Sequence, residues 1–210
     1  YGVQAGDRVA LYLANRIEYL PLLYACWWVG AVVVPINFKL HEKEAAWILD
    51  NAQATLLVTD SGTQMPPELL PESCRELGVD TPAWEPIRQA SGFEAPLSTP
   101  PQHLAWLFYT SGTTGRPKGV MLTHENLIAM SLCFFSDVDE VQAADYWLYA
   151  APISHGAGLY NFPYVRAGGR HVVPESRGFD SDEIFDLAAT LNRVSLFAAP
   201  TMIKRMVQNA

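Results

Sequence analysis

From residue 19 to residue 37 the chain runs 19 residues without a charge. A run of that length is either a membrane-spanning helix or two buried elements end to end. Pro21, Gly30 and Pro35 interrupt it, and Val32-Val33-Val34 is β-branched, which favours a strand. The run therefore reads as a helix over about residues 17–29, a turn at Gly30, and a buried strand, and a transmembrane span is disfavoured.

The flanking sequence agrees. Residues 8–14 and 54–59 read as apolar strands and 41–51 as a helix. Strand alternating with helix implies parallel strands with crossovers, and near-continuous apolar strands require cover on both faces. Residues 61–101 break this pattern. They hold eight of the 15 prolines and little periodicity, so they read as a long connection with one short helix near 68–77.

Alternation resumes with strands at 104–109, 146–151, 171–173 and 194–199. Thr123 can cap a helix carrying Leu127, Met130, Ser131 and Phe134 on one face. Asp180 with Glu183 makes a capping-box-like start for a helix carrying Ile184, Leu187, Ala188 and Leu191. The fold expected is α/β, with alternating strands and helices forming largely parallel sheets covered by helices. Its expected parts are a first lobe at 1–60, a proline-rich connection at 61–103 and a second lobe at 104–210.

Half of the 210 residues are apolar and only 17% are charged, which suffices for a core and argues against disorder. The net charge of −8 argues against a general nucleic-acid or anionic-membrane binder. Cys26, Cys74 and Cys133 are odd in number and widely spaced. They suggest neither a disulfide framework nor a metal motif, and read as buried free thiols of a reducing, cytoplasmic compartment. The chain starts at Tyr1 and stops within a helix that begins near Met202, which reads as an excerpt of a longer protein.

One segment carries chemistry: Tyr109-Thr110-Ser111-Gly112-Thr113-Thr114-Gly115-Arg116-Pro117-Lys118-Gly119, directly after an expected strand. Its glycines permit close approach to the backbone, its hydroxyls donate hydrogen bonds, and Lys118 adds charge. From residue 95 to residue 124 there is no acidic residue in an otherwise acidic chain. Backbone N–H groups, hydroxyls and a lysine are what a polyphosphate needs. The common P-loop spacing is absent, because Pro117 stands at the second glycine and Gly119 where a Ser or Thr would follow the lysine. The hydroxyl that holds Mg²⁺ in that loop is missing.

This segment resembles the signature phosphate loop of the adenylate-forming (AMP-binding) enzymes, which include acyl-CoA synthetases, luciferases and peptide-synthetase adenylation domains. Asp7-Arg8-Val9-Ala10 and residues 30–35 are similar to that family's upstream segments. Ala151-Pro152-Ile153-Ser154-His155-Gly156-Ala157-Gly158 resembles its next motif. The resemblance covers the whole chain, as part of a large N-terminal domain, and is strongest to acyl-CoA synthetases. It implies that Thr110, Ser111, Gly112, Thr113, Thr114, Gly115 and Lys118 bind the ATP phosphates, and that His155 and Gly156 border or gate the acyl pocket. It implies ATP, Mg²⁺ and coenzyme A as substrates or metal of the whole enzyme, a fatty or aryl carboxylic acid as the other substrate, and no metal site within this stretch. The family's later motifs, including its catalytic lysine, lie beyond residue 210, so no catalytic residue is expected here and the stretch alone is expected to be inactive.

Three alternatives stay open at this level. One is an adenylation domain that loads a carrier protein, and another a nucleotide-binding module without catalysis. The third, a serine hydrolase using Ser111 or Ser154, is disfavoured because neither serine lies in a Gly-x-Ser-x-Gly elbow. Tyr160, Phe162, Trp27 and Trp28 read as core, His124 and Glu125 as capping and solvent-facing, and Arg116, Arg166, Arg170 and Arg177 as solvated. The acid and the oligomeric state, a dimer being one option, are not legible.

Overall fold

The computed structural model describes residues 1–92, 94–110 and 116–209. By internal contacts the chain divides into two compact units, Tyr1–Ala14 with Glu18–Glu125 and Asn15–Ile17 with Asn126–Ala210.

In the first unit the elements run β1 (Arg8–Leu13), α1 (Tyr19–Trp28), β2 (Val32–Asn37), α2 (Glu42–Ala52), β3 (Ala54–Thr59), β4 (Arg75–Gly78), α3 (Glu85–Gln89), β5 (Leu104–Thr110) and β6 (Lys118–Thr123). They build a six-stranded sheet in the order β4-β3-β1-β2-β5-β6. Neighbouring strands are parallel except β5 and β6, which are antiparallel. The central strands are buried on both faces, as the apolar runs require. Tyr19, Leu23 and Cys26 form the buried stripe of α1. On α2, Ala45, Ile48, Leu49 and Ala52 pack with Ala10, Tyr12, Val34, Ile36 and Leu57. Each fully buried Leu or Ile stabilises the fold by about 1.5–3 kcal/mol.

The strand order reverses at β1, which lies between β2 and β3. Open parallel sheets commonly bind ligands at the carboxyl ends of strands flanking such a reversal. Here those ends are stoppered. Buried Asp60 accepts from the backbone N–H of Ala14 (2.9 Å) and of Gly62 (2.8 Å), while the Thr63 hydroxyl donates to the Tyr12 carbonyl.

The second unit holds the remainder of α4 (His124–Asp137) from Asn126, then β7 (Tyr146–Leu148), α5 (Gly156–Leu159), α6 (Asn161–Ala167), β8 (Arg170–Val172), α7 (Ser181–Thr190), β9 (Val194–Leu196) and α8 (Pro200–Asn209). Its sheet is parallel, in the order β8-β7-β9. Leu148, Ala150 and Ile184 form its core, joined by Val172, Phe179, Leu187, Val194 and Leu196. Leu127, Ser131 and Phe134 face inward from α4 as the spacing predicts.

Several expectations need correction. The helix expected near 68–77 is a 3₁₀ turn at Pro67–Leu69 followed by strand β4. The free edge of β3 offers Arg75–Gly78 a ladder, and the Glu76 carboxylate accepts from the Thr59 hydroxyl (2.7 Å) and the Met65 N–H (3.2 Å). β6 was not expected at all, because its partner is supplied by β5. Asp180 does cap α7, accepting from the N–H groups of Asp182 and Glu183. However, Glu183 turns to the N–H groups of Glu175 and Ser176, so no reciprocal box forms. The reciprocal box sits on α2, between His41 and Glu44. Cys26 and Cys74 are buried free thiols, their pKa pushed by burial to about 12 and about 11, but Cys133 is exposed. Trp27 donates its indole N–H to the Ala105 carbonyl, whereas Trp28 is 40% exposed. Among the described residues, no helix is long and apolar enough to cross a membrane.

Candidate functional site

Thr110 and Lys118 are the described members of the expected phosphate-binding set. Ser111, Gly112, Thr113, Thr114 and Gly115 lie outside the described residues. Thr110 is the last residue of β5 and Lys118 the first of β6, and they are direct partners across the antiparallel pair. Both are exposed. A hydroxyl and an ammonium group therefore stand side by side at the mouth of a hairpin, on backbone held by a sheet.

The next rung of the ladder pairs Tyr109 with Gly119. A β-carbon at Gly119 would lie 3.0 Å from Cζ of Tyr109, so only glycine leaves room for the ring. The Tyr109 hydroxyl donates to Oδ1 of Asn51 on α2 (2.7 Å), and the ring meets Trp47 edge-on at 6.3 Å. Trp47 and Asn51 are four residues apart, hence on one face of α2. Burial raises the Tyr109 pKa, which keeps the hydroxyl a donor. Sequence reasoning missed Asn51, whose role depends on a strand 58 residues away.

His103 and His124 also belong to this unit. Their rings stack at 6.2 Å, and His103 Nε2 contacts the Gly30 carbonyl at 3.0 Å. His124 is partly buried and not a solvent-facing cap, and burial with the neighbouring His103 lowers its pKa.

In the second unit, the chain leaving β7 turns at 151–155 into α5. His155 is partly buried in extended conformation just ahead of that helix. Asn15, 1% exposed, holds this turn. Its amide N–H₂ donates to the carbonyls of Tyr149 and Ala151, and its Oδ1 accepts from the N–H of Ile153, all at 2.9 Å. Sequence reasoning missed Asn15 too. An Asn after an apolar strand signals only a turn. The Ser154 hydroxyl is buried and has no hydrogen-bonding partner among the described residues, so no described base contacts it.

Two glycines of the turn are sterically required. A β-carbon at Gly156 would lie 2.8 Å from the Phe197 ring, and one at Gly158 would lie 1.8 Å from the Ile153 carbonyl oxygen. Phe197 lines a cleft of about 370 Å³ with Phe134, Trp147, Tyr160, Tyr164 and Ser195. Tyr160 is thus a wall residue as well as a core one. On the same face of the sheet as Trp147, the Tyr149 hydroxyl shares a 2.9 Å hydrogen bond with Nδ1 of His171, whose pKa burial pushes down to about 4. Among the described residues, no group of three or more His, Cys, Asp or Glu can hold a metal ion.

The mostly parallel α/β sheet defines the fold class, and the AMP-binding enzyme family model matches residues 1–210. The chain belongs to that family. Among curated proteins it is 35% identical over 205 residues to a feruloyl-CoA synthase of an Amycolatopsis species, covering 96% of this chain and 40% of that protein. It is 34% identical over 210 residues to 2-succinylbenzoate–CoA ligase of Bacillus velezensis, covering 98% and 41%. The chain thus spans about two fifths of these relatives. Among solved structures, the N-terminal domain of FACL13 from Mycobacterium tuberculosis superposes with a TM-score of 0.84 at 27% identity, over 99% of this chain and 53% of that one. ATP-bound MatB from Rhodopseudomonas palustris superposes with a TM-score of 0.84 at 30% identity, over 99% and 42%.

Proposed function

We propose that this chain is the ATP-phosphate-binding part of an acid–CoA ligase. In the reaction, a carboxylate oxygen attacks the α-phosphorus of ATP. The bond to the bridging oxygen breaks and pyrophosphate leaves. The thiol of CoA, losing its proton, then attacks the acyl carbonyl of the adenylate and AMP departs. Both steps gain more from positioning and charge neutralisation than from covalent catalysis. In this reading Thr110, Ser111, Gly112, Thr113, Thr114 and Gly115 wrap the β- and γ-phosphates, and Lys118 places a compact positive charge on the departing pyrophosphate.

The observation that carries the reading is the pairing of Thr110 with Lys118 at the mouth of a hairpin whose connection is rich in Gly, Ser and Thr. The described carboxylates do not fit a resident metal site. Mg²⁺, as the resemblance implies it for the whole enzyme, would accompany ATP, and the reading assigns it no ligand within this stretch. In this reading His155 and Gly156 border the acyl side; Gly156 lies against Phe197, whose aromatic cleft would suit an aryl or alkyl acid. The naming of the relatives as CoA ligases supports CoA as acceptor.

The test is acid-dependent exchange of labelled pyrophosphate into ATP by the full-length protein. Exchange with a fatty or aryl acid, lowered roughly 10- to 100-fold in Lys118→Ala by loss of one phosphate-neutralising charge, is expected. Failure of every carboxylic acid tried, in a protein that binds ATP, overturns the ligase reading.

A further inference from the structure

The phosphate-loop hairpin is fastened from outside itself. We infer that Asn51 and Tyr109 are positioning residues for ATP: by tying the hairpin to α2 they set where Lys118 stands. The inference rests on the phosphate-loop reading above, and deepens it by naming what holds the loop's base.

Consider what fixes Lys118. It is the first residue of β6, which among the described residues is an edge strand paired with β5 alone. A strand paired on one side is free to slip or peel unless something beyond the ladder pins it. Its exposed residues Lys118, Val120 and Met121 bring little burial to oppose that. The pin is at the neighbouring rung. Tyr109 fills the space above Gly119, so a one-residue slip would drive the side chain of Lys118 or Val120 into the ring. The ring in turn is held at two points by one face of α2: its hydroxyl by Asn51, and its plane by the edge-on contact with Trp47. The buried stripe of α2 is locked into the core, with Ala45, Ile48 and Leu49 fully buried, so its exposed Asn51 is a rigid mount. Rigid mounts matter because a misplacement of about 1 Å lengthens the hydrogen bond and weakens the charge contact to a phosphate, and can cost much of the rate.

None of Asn51, Tyr109 or Trp47 is placed at the phosphates in this reading. Their effect must therefore pass through the hairpin, and it should show in ATP binding rather than in acid binding.

The experiment uses the full-length protein and steady-state pyrophosphate exchange, with ATP and acid varied separately. Tyr109→Phe keeps the ring over Gly119 and removes only the donor. Asn51→Leu removes the acceptor at an exposed position of α2. Each is expected to raise the KM for ATP about three- to tenfold, the range for one hydrogen bond, with the KM for the acid unchanged. The double variant should add little to either single one, since both break the same bond. Asn51→Asp keeps an acceptor for the tyrosine hydroxyl and is expected to restore the ATP KM. A merely structural bond would lower the melting temperature of Tyr109→Phe and Asn51→Leu while leaving both KM values at wild type, and that result overturns the inference. So do additive effects in the double variant, or an acid KM that rises in step. Lys118→Ala separates the two readings. If it weakens ATP use while Tyr109→Phe does not, the positioning role alone fails. If Lys118→Ala itself leaves ATP use untouched, the phosphate-loop reading fails and the positioning role with it.

Discussion

Replacing Asn15 by alanine would test how the His155 turn is built. The side chain is buried and makes three hydrogen bonds of 2.9 Å, two donated to the carbonyls of Tyr149 and Ala151 and one accepted from Ile153. Each such bond contributes about 1 kcal/mol net, and each buried group left without a partner costs about 1–3 kcal/mol. Alanine leaves one N–H and two carbonyls unpaired, in a cavity into which a water can move and recover part of the loss. The expected destabilisation is therefore about 3 kcal/mol. That is a large share of the roughly 5–15 kcal/mol by which a domain is stable. Asn15→Asp discriminates further. It keeps the acceptor for Ile153 but loses both donors and sets a carboxylate against two carbonyl oxygens, so it should be at least as damaging as alanine. The assay is urea unfolding followed by tryptophan fluorescence, with Trp147 reporting on the second unit. Because the chain has two units, the transition of that unit must be fitted separately. A loss below about 1 kcal/mol for Asn15→Ala, or an Asn15→Asp variant as stable as wild type, would refute the reasoning.

Two further outcomes follow from the same region. Gly158→Ala would put its β-carbon 1.8 Å from the Ile153 carbonyl oxygen, a backbone atom that cannot swing aside. It should cost about 3 kcal/mol or more in urea unfolding, against under 1 kcal/mol for alanine at the open Gly92. His171 is held neutral by burial, with a pKa near 4 in place of the usual 6.5. A depressed histidine binds its proton more readily unfolded than folded, so stability is constant above about pH 6.5 and falls as pH drops toward 4. The loss is on the order of 2 kcal/mol, allowing for screening at the partly exposed ring. His171→Phe should flatten that slope in melting curves taken from pH 7 to pH 4, and an unchanged slope would show that another group is responsible.

Much of the local architecture was legible before any coordinates. The helix α1 and the strands β1 and β3 follow from unbroken apolar runs, which suit elements covered on both faces, and the inward face of α4 follows from apolar spacing, because burial on one side imposes a period. The segment at 109–119, proposed above as a phosphate loop, stands out for a different reason. Gly, Ser, Thr and Lys crowded into eleven residues have few structural uses but suit a polyphosphate. What failed were segments whose conformation depends on a distant partner. Arg75–Gly78 carries no strand pattern and becomes β4 only because β3 presents an open edge. Lys118–Thr123 became a strand through β5, and the sequence reading carried the chain directly from the loop to a helix cap. Trp28 and Cys133 read as core by residue type, yet their helices turn them outward.

Sequence by itself determined the α/β class, the alternation of strand and helix, and the cluster of Gly, Ser, Thr and Lys at 109–119, since all three are encoded in patterns a few residues long. Only the tertiary structure decided the strand order, the stopper of Asp60 at the strand reversal, and the partners Asn51 for Tyr109 and Asn15 for the His155 turn. These join residues 46, 58 and 138 positions apart. A lone polar side chain looks the same in sequence whether it faces water or a buried partner. The difference lies in which backbone groups the fold leaves unpaired and within reach, and that is settled only when the elements have packed.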